Sequence, residues 1–451
     1  MMDLDLMQLF HLPNFTVTSS ERTEHDYHLT ARYTLAPDCC PHCLDGTTFQ
    51  EFGTKDQLFM DLPAHGKRVG VIVKRQRYRC KSCQRTFLQR LPDIDENHTM
   101  TKRLLHYIQR ESLRDTFVRV AENVGVSEGT IRNIFKDYVT QLEATTHIAT
   151  PTKLGIDEIY LAKKPRCILS NIEERTIVDL LSHRSKASVQ QRLLDFPHRQ
   201  QIEFVCSDMW VPYKEAAKAA LPQAQFVVDK FHVVKMANEA LEKVRKELQA
   251  EMDPQQRRTL KMYDRSTLLK RRYDLNESQQ LRLEVWTGNV PLLGQAYALK
   301  EAFYDLWDIP DRREALEQYQ AWRTQIPPVL IDAFSELTTA VENWQTEIFA
   351  YFDYKLTNAY TESLDALVRS VDRAGKGLRF KTLWAKMLFS AGLHRQYRPK
   401  YQRPSREVVG PVVAENDALQ HETVNEFFSP GAEISTFARQ LEWEFPEAIS
   451  T

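Results

Sequence analysis

Two aspartates stand in stretches whose other residues favour buried β-strands. Asp157 interrupts the apolar run of residues 153–162, and Asp208 ends the run of residues 201–208. The apolar residues around Asp157 do not alternate cleanly, which indicates a strand buried on both faces. A carboxylate there needs a salt bridge or a metal ion to compensate its charge. Two such carboxylates can share a pair of divalent cations, the arrangement that cleaves phosphodiesters.

The elements around these aspartates have to bring them together. The sequence predicts strands at 166–170 and 176–181, helices at 188–196 and 213–220, and a fifth strand at 225–234. Three strands, a helix and a strand are the opening order of an RNase H-like α/β fold, in which the first and fourth strands are neighbours. Asp157 and Asp208 are therefore predicted to hold magnesium, which prefers carboxylate oxygens.

Asp229 is a rival for the second carboxylate because it also lies in a predicted strand. The fifth strand is further from the first in this sheet order, so Asp208 is preferred. His232, three residues later, is predicted either to support the site or contact DNA, or to be only a half-buried polar residue.

Two CxxC pairs, Cys40/Cys43 and Cys80/Cys83, predict a structural zinc site. Two strands are predicted in residues 14–35, before the first pair. The 36 residues between the pairs are more than the usual separation, and strands at 68–74 and 76–79 are predicted to fill them with a hairpin. The alternatives are unliganded core cysteines or a redox pair. Cys39 and His42 are possible substitute ligands, with poorer spacing.

From residue 101 the apolar period becomes helical. Three helices are predicted, the second closed by Gly125 and the third capped by Ser127. The third exposes Glu128 and the predicted DNA-binding residues, which are Arg132, Asn133 and Lys136. This pattern is typical of a helix-turn-helix that reads the major groove, and a generic three-helix bundle is the alternative.

Charge is distributed unevenly along the 451 residues. Residues 66–140 contain 16 Lys and Arg against 8 Asp and Glu, whereas residues 411–451 contain one Arg against eight acidic residues. A basic front half indicates nucleic-acid binding, and two ordinary solvated faces are the alternative. Neither a membrane span nor a secretory signal is evident, so a cytoplasmic protein is expected.

Four motifs together resemble the DDE transposases of bacterial insertion sequences, specifically the ISL-three family. They are Gly155-Ile-Asp-Glu, Ser207-Asp-Met-Trp-x-Pro-Tyr213, Asp229-Lys-Phe-His-Val-Val-Lys235 and Thr357-Asn-Ala-Tyr-Thr-Glu-Ser363. The resemblance covers nearly the whole chain. It implies a DNA transposase whose catalytic and metal-binding triad is Asp157, Asp208 and Glu362, with Mg²⁺ or Mn²⁺ as cofactor.

The third carboxylate lies far along the chain, which an all-helical insertion at 238–354 would explain. Its four tryptophans, at 286, 307, 322 and 344, are expected in the core rather than as stacking platforms. Glu362 opens a predicted helix that leads to a basic turn. That turn is a predicted phosphate clamp, with a solvated helix end as the alternative; its DNA-binding residues are Arg373, Lys376, Arg379 and Lys381.

The predicted chain is a multidomain α+β protein in six segments. They are a zinc-ribbon domain (1–95), a helix-turn-helix domain (96–150), the first part of the catalytic domain (151–237), the helical insertion (238–354), the last catalytic part (355–405) and an acidic tail (406–451). The predicted enzyme is a homodimer at the bacterial nucleoid. It binds the terminal inverted repeats of its element and cuts and transfers DNA. The alternatives are a non-catalytic DNA-binding regulator and a nuclease without strand transfer.

Overall fold

The computed structural model describes residue 12 and residues 14–46, 49–262, 264–375 and 377–392. The described residues form two compact units. The first contains those up to Ile148 together with Ser370–Ser390, and the second contains Ala149–Arg369 with residues 391 and 392. The predicted acidic tail lies outside the described residues. The multidomain α+β class predicted from the sequence is confirmed.

The first unit is built on an extended β-sheet. Its strands are β1 (Phe15–Arg22), β2 (Asp26–Tyr33), β3 (Phe49–Ala64), β4 (Lys67–Cys80), β5 (Thr86–Leu88), β6 (Ile94–Asp95) and β7 (Met100–Thr101). Their order is β1-β2-β4-β3-β7-β6, and β5 pairs with β4. The core on this sheet includes Leu29, Phe59, Val69, Val71 and Val73.

The hairpin before the second CxxC pair differs from the prediction. The segments 68–74 and 76–79 belong to one strand, β4, and the hairpin partner is β3. The expected break was at Arg75, which instead is buried inside the strand. Its guanidinium donates to both carboxylate oxygens of Glu96, at 3.1 and 2.7 Å. This ion pair compensates the charge of Arg75 within an otherwise apolar stretch of the strand.

Three helices follow, as predicted: α1 (Lys102–Arg114), α2 (Phe117–Val124) and α3 (Glu128–Thr145). Each has a hydroxyl cap, and Ser127 accepts from the backbone N–H of Thr130 at 3.1 Å. Gly125 ends α2 with φ 76°, a left-handed conformation that favours glycine. Ile131, Ile134 and Phe135 are buried, and Tyr138, also predicted to face the core, is half-buried.

A later part of the chain completes this unit. Helix α15 (Phe380–Lys386) brings Lys386 into the three-helix core, where its ammonium donates to the carbonyl of Asp115 at 2.8 Å and lies 4.8 Å from the Phe117 ring centre. Burial lowers the pKa of Lys386 to about 8. These contacts cap the carbonyl end of α1 and hold α15 against the helices.

The second unit contains a five-stranded sheet in the order β10-β9-β8-β11-β12. Its strands are β8 (Lys153–Leu161), β9 (Lys164–Asn171), β10 (Thr176–Leu181), β11 (Phe204–Ser207) and β12 (Gln225–Val228). The first three form an antiparallel meander, and β11 runs parallel to both β8 and β12. The predicted neighbours, the first and fourth strands of the RNase H-like order, are adjacent.

The helices that accompany this sheet are α4 (Lys186–Leu194), α5 (Val211–Ala220) and α6 (Lys230–Glu251). The prediction of a fifth strand to residue 234 was wrong beyond Val228. Asp229 is the N-cap of α6, so His232 lies in the first turn of a helix. The apolar residues after Asp229 continue at helical spacing, with Val233 and Ala237 both buried.

Further helices lie between α6 and the last carboxylate. They are α7 (Pro254–Met262), α8 (Arg265–Leu269), α9 (Glu277–Asn289), α10 (Pro291–Asp305), α11 (Arg312–Thr324), α12 (Ile331–Asn343) and α13 (Gln345–Tyr354), and α14 (Ala359–Gly375) follows. Trp322 and Trp344 are buried in their core, and Trp286 and Trp307 pack against it, as expected. The predicted boundary at 237 falls inside α6.

Candidate active site

Strands β8 and β11 carry the two predicted aspartates to the same end of the sheet. Ile156 is paired with Ser207 across the parallel strands, and each aspartate is the next residue. A carboxylate oxygen of Asp157, one of Asp208 and a ring nitrogen of His232 lie within 4.8 Å of one another. Asp157 is buried and Asp208 is half-buried.

Asp229 and His232 form a second part of the same site. The Nδ1 atom of His232 lies 3.5 Å from Oδ2 of Asp229 and 3.3 Å from Oε1 of Glu362. Both separations are short enough for an ion pair, and neither is a hydrogen bond. Asp229 is completely buried, and its Oδ1 accepts the backbone N–H of Asn358 at 3.2 Å. His232 therefore connects the four carboxylates.

The helix α14 that carries Glu362 is locked against β8 by buried polar side chains. The Asn358 amide donates to the carbonyl of Ile156 at 3.2 Å, and Thr361 donates to the Asn358 side-chain oxygen. The hydroxyls of Thr361 and Ser170 are 2.5 Å apart. The backbone N–H of Glu362 donates to the Asn358 carbonyl at 3.1 Å. The network that holds Asn358 therefore also fixes the position of Glu362 in the first turn of α14.

Gly155 makes this lock possible. A Cβ atom there would lie 2.4 Å from the Asn358 side-chain oxygen, 2.4 Å from the Ser170 hydroxyl and 2.5 Å from the Thr361 hydroxyl. These distances are far inside van der Waals contact, so only glycine lets the network approach β8 two residues before Asp157.

The carboxylates oppose one another's ionisation. Burial, opposed by His232 and reinforced by the charges of Asp208 and Glu362, raises the pKa of Asp157 to about 7. Burial also raises the pKa of Asp208, and burial with the charge of Asp229 raises that of Glu362. Burial lowers the pKa of His232, but the Asp229 contact and the nearby carboxylates raise it to about 9 overall. The site therefore favours a cation.

A separate cluster in the first unit has the geometry of a sulfur-ligated metal site. The Sγ atoms of Cys40 and Cys83 are 3.7 Å apart, as are those of Cys43 and Cys80. Four sulfurs about 2.3 Å from one zinc ion are separated by about 3.8 Å, so the cluster fits zinc. Both knuckles have the same turn, because Leu44 and Gln84 donate to the carbonyls of Cys40 and Cys80 at 2.9 and 3.0 Å.

Three segments of the chain match models of known domain families. Residues 154–387 match the DDE transposase model of the ISL3 family, and residues 89–139 match the helix-turn-helix domain of transposase family ISL3. Residues 36–83 match the zinc finger of the transposases IS204/IS1001/IS1096/IS1165. The chain belongs to the ISL3 transposase family.

One curated relative of this transposase is the transposase for insertion sequence element IS1001 from Bordetella parapertussis. The two sequences are 26% identical over an alignment of 361 residues that covers 78% of this chain and 86% of the relative. The resemblance inferred from the four motifs is thus confirmed. The chain is a DNA transposase of the DDE type, with a zinc ribbon and a DNA-binding helix-turn-helix ahead of its catalytic domain.

The predicted DNA-binding residues that the structure describes all lie on the surface of the first unit. On α3 of the transposase, Arg132, Asn133 and Lys136 are exposed. Arg132 is paired with Glu128 at 2.6 Å, so reading a base would require it to leave this partner. Arg373, Arg379 and Lys381 are also exposed, and Lys376 lies outside the described residues.

Four residues of the lock were not predicted as functional: Gly155, Ser170, Asn358 and Thr361. Three of them stand inside the motifs that carry the family resemblance, beside Asp157 and Glu362. That proximity was the available signal. Ser170 lies in no motif, and only the pairing of β9 with β8, which sets Ser170 opposite Gly155, brings it to the network.

In the described residues no helix is both long enough and apolar enough to cross a membrane.

Proposed function

We propose that this transposase binds the terminal inverted repeats of its insertion sequence and cuts and joins DNA through Asp157, Asp208 and Glu362. The observation that carries the proposal is the convergence of four carboxylates around His232 at one end of the sheet. A buried cluster of this charge has no structural benefit without a cation. The solvent exposure of each carboxylate decides which of them are proposed as catalytic.

Asp208 is the better second carboxylate because it is more accessible than Asp229, which already accepts a backbone N–H. Asp208 is half-buried and the Glu362 side chain is 37% exposed, whereas Asp229 is completely buried. The half-buried Asp208 and Glu362 and the buried Asp157 would hold Mg²⁺ or Mn²⁺, since hard divalent cations prefer oxygen ligands. When bound, such ions activate water or a 3′ hydroxyl and stabilise the leaving oxygen.

Asp229 and His232 have a supporting role in this proposal. Asp229 accepts from the backbone of Asn358 and so ties β12 to the start of α14. His232 provides a positive charge between the carboxylates and orients Glu362 through the 3.3 Å contact. Asp229 and His232 thus hold the metal-binding side chains in place and are not themselves proposed as metal ligands.

DNA recognition is divided between two surfaces of the first unit. Arg132, Asn133 and Lys136 are proposed to contact base edges, because they lie exposed on the third helix of a helix-turn-helix domain. Arg373, Lys376, Arg379 and Lys381 are proposed to contact phosphates, which Lys and Arg bind without sequence preference.

The six predicted segments remain our proposal for the domain boundaries.

An insertion sequence has two ends, and each must be cut. A homodimer with one catalytic site per end is the simplest assembly for this task, and it would act on DNA at the bacterial nucleoid. This proposal is supported by the symmetry of the substrate, since most homo-oligomers are C₂ dimers.

The experiment incubates purified protein with duplexes of its own element ends, a target plasmid and Mg²⁺. Nicking at the end followed by joined product supports the proposal. Nicking without joining would indicate a nuclease, and retention of the duplex on a gel without any cleavage would indicate a regulator. Asp157→Asn and Glu362→Gln should bind the same duplex and give no product.

A further inference from the structure

We propose that a basic pocket beside the catalytic carboxylates binds one unpaired nucleotide of the DNA strand being cut, with Trp210 as the surface against which its base packs. The pocket lies between the start of β9, the loop from β10 to α4, and the start of α5. Its volume is about 480 Å³, and it is lined by Lys164, Arg166, Arg184, Lys186, Trp210 and Pro212. This inference rests on the proposed function and adds a nucleotide subsite to it.

Trp210 differs from the other tryptophans of the described residues. It is 38% exposed, whereas the other five in the described ranges are buried or half-buried. A large aromatic side chain left open in a concave surface is typical of a binding site rather than a core. The Arg184 guanidinium lies 4.8 Å from its ring centre, so the pair forms a stacking surface with positive charge.

The charges in the pocket suit a nucleic acid. None of the residues that line the pocket is acidic, and the buried Arg166 guanidinium donates to the carbonyl of Ser182. Arg184 pairs with Glu158, and Lys186 pairs with Glu215 at 2.7 Å. The pocket thus presents Lys164 beside two cations that are each paired with a carboxylate, and this positive charge attracts a phosphate.

The pocket and the catalytic carboxylates are built from neighbouring parts of the chain. Trp210 follows Asp208 by two residues, and Glu158, which holds Arg184, is the neighbour of Asp157. A nucleotide in the pocket would therefore belong to the strand whose phosphate is at the metal site. Ligand pockets of about 300 to 1,000 Å³ hold small molecules, so this one accommodates a single nucleotide but not a duplex. The nucleotide must be unpaired.

Photocrosslinking tests this without requiring catalysis. The full-length protein is bound to an element-end duplex in EDTA, with 5-iododeoxyuridine placed at one position after another around the cut. We expect one position to crosslink to Trp210, and Trp210→Ala to lose that crosslink. Tyr273→Ala, which removes an 81% exposed aromatic side chain elsewhere in the second unit, should leave it unchanged. Crosslinks only outside the pocket would overturn the proposal.

A kinetic experiment separates base packing from phosphate binding. Base–aromatic packing contributes enough for its loss to reduce nicking of a paired end by about 5- to 150-fold. Trp210→Ala should show this loss, Trp210→Phe should restore most of the rate, and a mismatch at the crosslinked position should reduce the deficit. If Lys164→Ala is slow while Trp210→Ala is as fast as wild type, the pocket binds phosphate alone and the inference is wrong.

The two hypotheses fail in different ways. If the wild-type protein crosslinks through Trp210 but never nicks its ends, the pocket stands and the catalytic proposal fails. If it nicks normally and Trp210→Ala neither slows nicking nor changes the crosslinks, the catalytic proposal stands and the pocket assignment fails. Circular dichroism of each variant checks that the fold is retained, and Trp210→Phe provides the test should Trp210→Ala not fold.

Discussion

Nδ1 of His232 lies 3.3 Å from Oε1 of Glu362, although 129 residues separate them in the chain. The contact joins the first turn of α6 to the first turn of α14. His232 thus belongs to two groups of possible metal ligands, one with Asp229 and Glu362 and one with Asp157 and Asp208. The imidazole thus contributes to balancing the charge of a cluster that is otherwise entirely acidic.

Without the imidazole of His232, the stability of the protein should depend more strongly on a bound metal ion. We expect His232→Ala to lower the melting temperature in EDTA because the carboxylates then repel one another without a nearby cation. Added Mn²⁺ should raise the melting temperature more in the variant than in the wild type. Calorimetric scans with and without metal measure both effects. Equal responses to Mn²⁺ would show that the histidine does not compensate these charges.

The assignment of the second catalytic carboxylate can be tested by a matched pair. Asp208→Asn should reduce nicking and strand transfer to background while retaining binding to element ends, since the amide keeps the shape but loses the charge. Asp229→Asn should retain measurable activity, because its Oδ1 can still accept from Asn358. An inactive Asp229→Asn with an active Asp208→Asn would reverse the two roles.

The glycine beneath the site gives a prediction about positioning. Gly155→Ala should destabilise the second unit by about 1 to 3 kcal/mol, because overpacking forces the Asn358 network away from β8. Nicking should fall together with stability. Gly288→Ala is the control, since no side chain or backbone beyond its own helical turn lies within 4 Å of the added Cβ. Chemical denaturation and nicking rates measure the effects. Similar values for both variants would show that the close approach of the Asn358 network to Gly155 does not position the site.

Zinc should depend on the four clustered cysteines. Cys80→Ser is expected to lose zinc and to weaken binding to element ends, because metal binding and folding are coupled in such modules. Cys39→Ser should keep zinc, since Cys39 is exposed and outside the cluster. Metal analysis and gel retardation measure these outcomes. Wild-type protein without zinc would refute the site.

The two proposed DNA-binding surfaces should respond differently to mutation. Arg132→Ala should relax preference at one or two base pairs, at about 1 to 3 kcal/mol, whereas Arg379→Ala should weaken binding to all sequences and reduce the salt dependence. Competition between matched and altered ends at several salt concentrations distinguishes them. A uniform loss for both variants would remove Arg132 from base reading.

Local patterns carried much of the prediction. The CxxC pairs, the cap at Ser127 and the glycine at the end of α2 are short-range signals, and each matches the structure. The continuous apolar runs identified the strands of the catalytic sheet, although the last was predicted to continue beyond Val228. Signals of this kind depend on neighbouring residues, so they can be interpreted without knowledge of the tertiary fold.

Tertiary structure decided which carboxylates meet and how deeply each is buried. The helix that begins after Asp229 could not be distinguished from a strand by a short apolar run, because such a run fits either element. The Asn358 amide reaches the carbonyl of Ile156 across 202 positions of chain. Contacts of that length arise only when the sheet and the helices have packed, since nothing near either residue in the sequence specifies its partner.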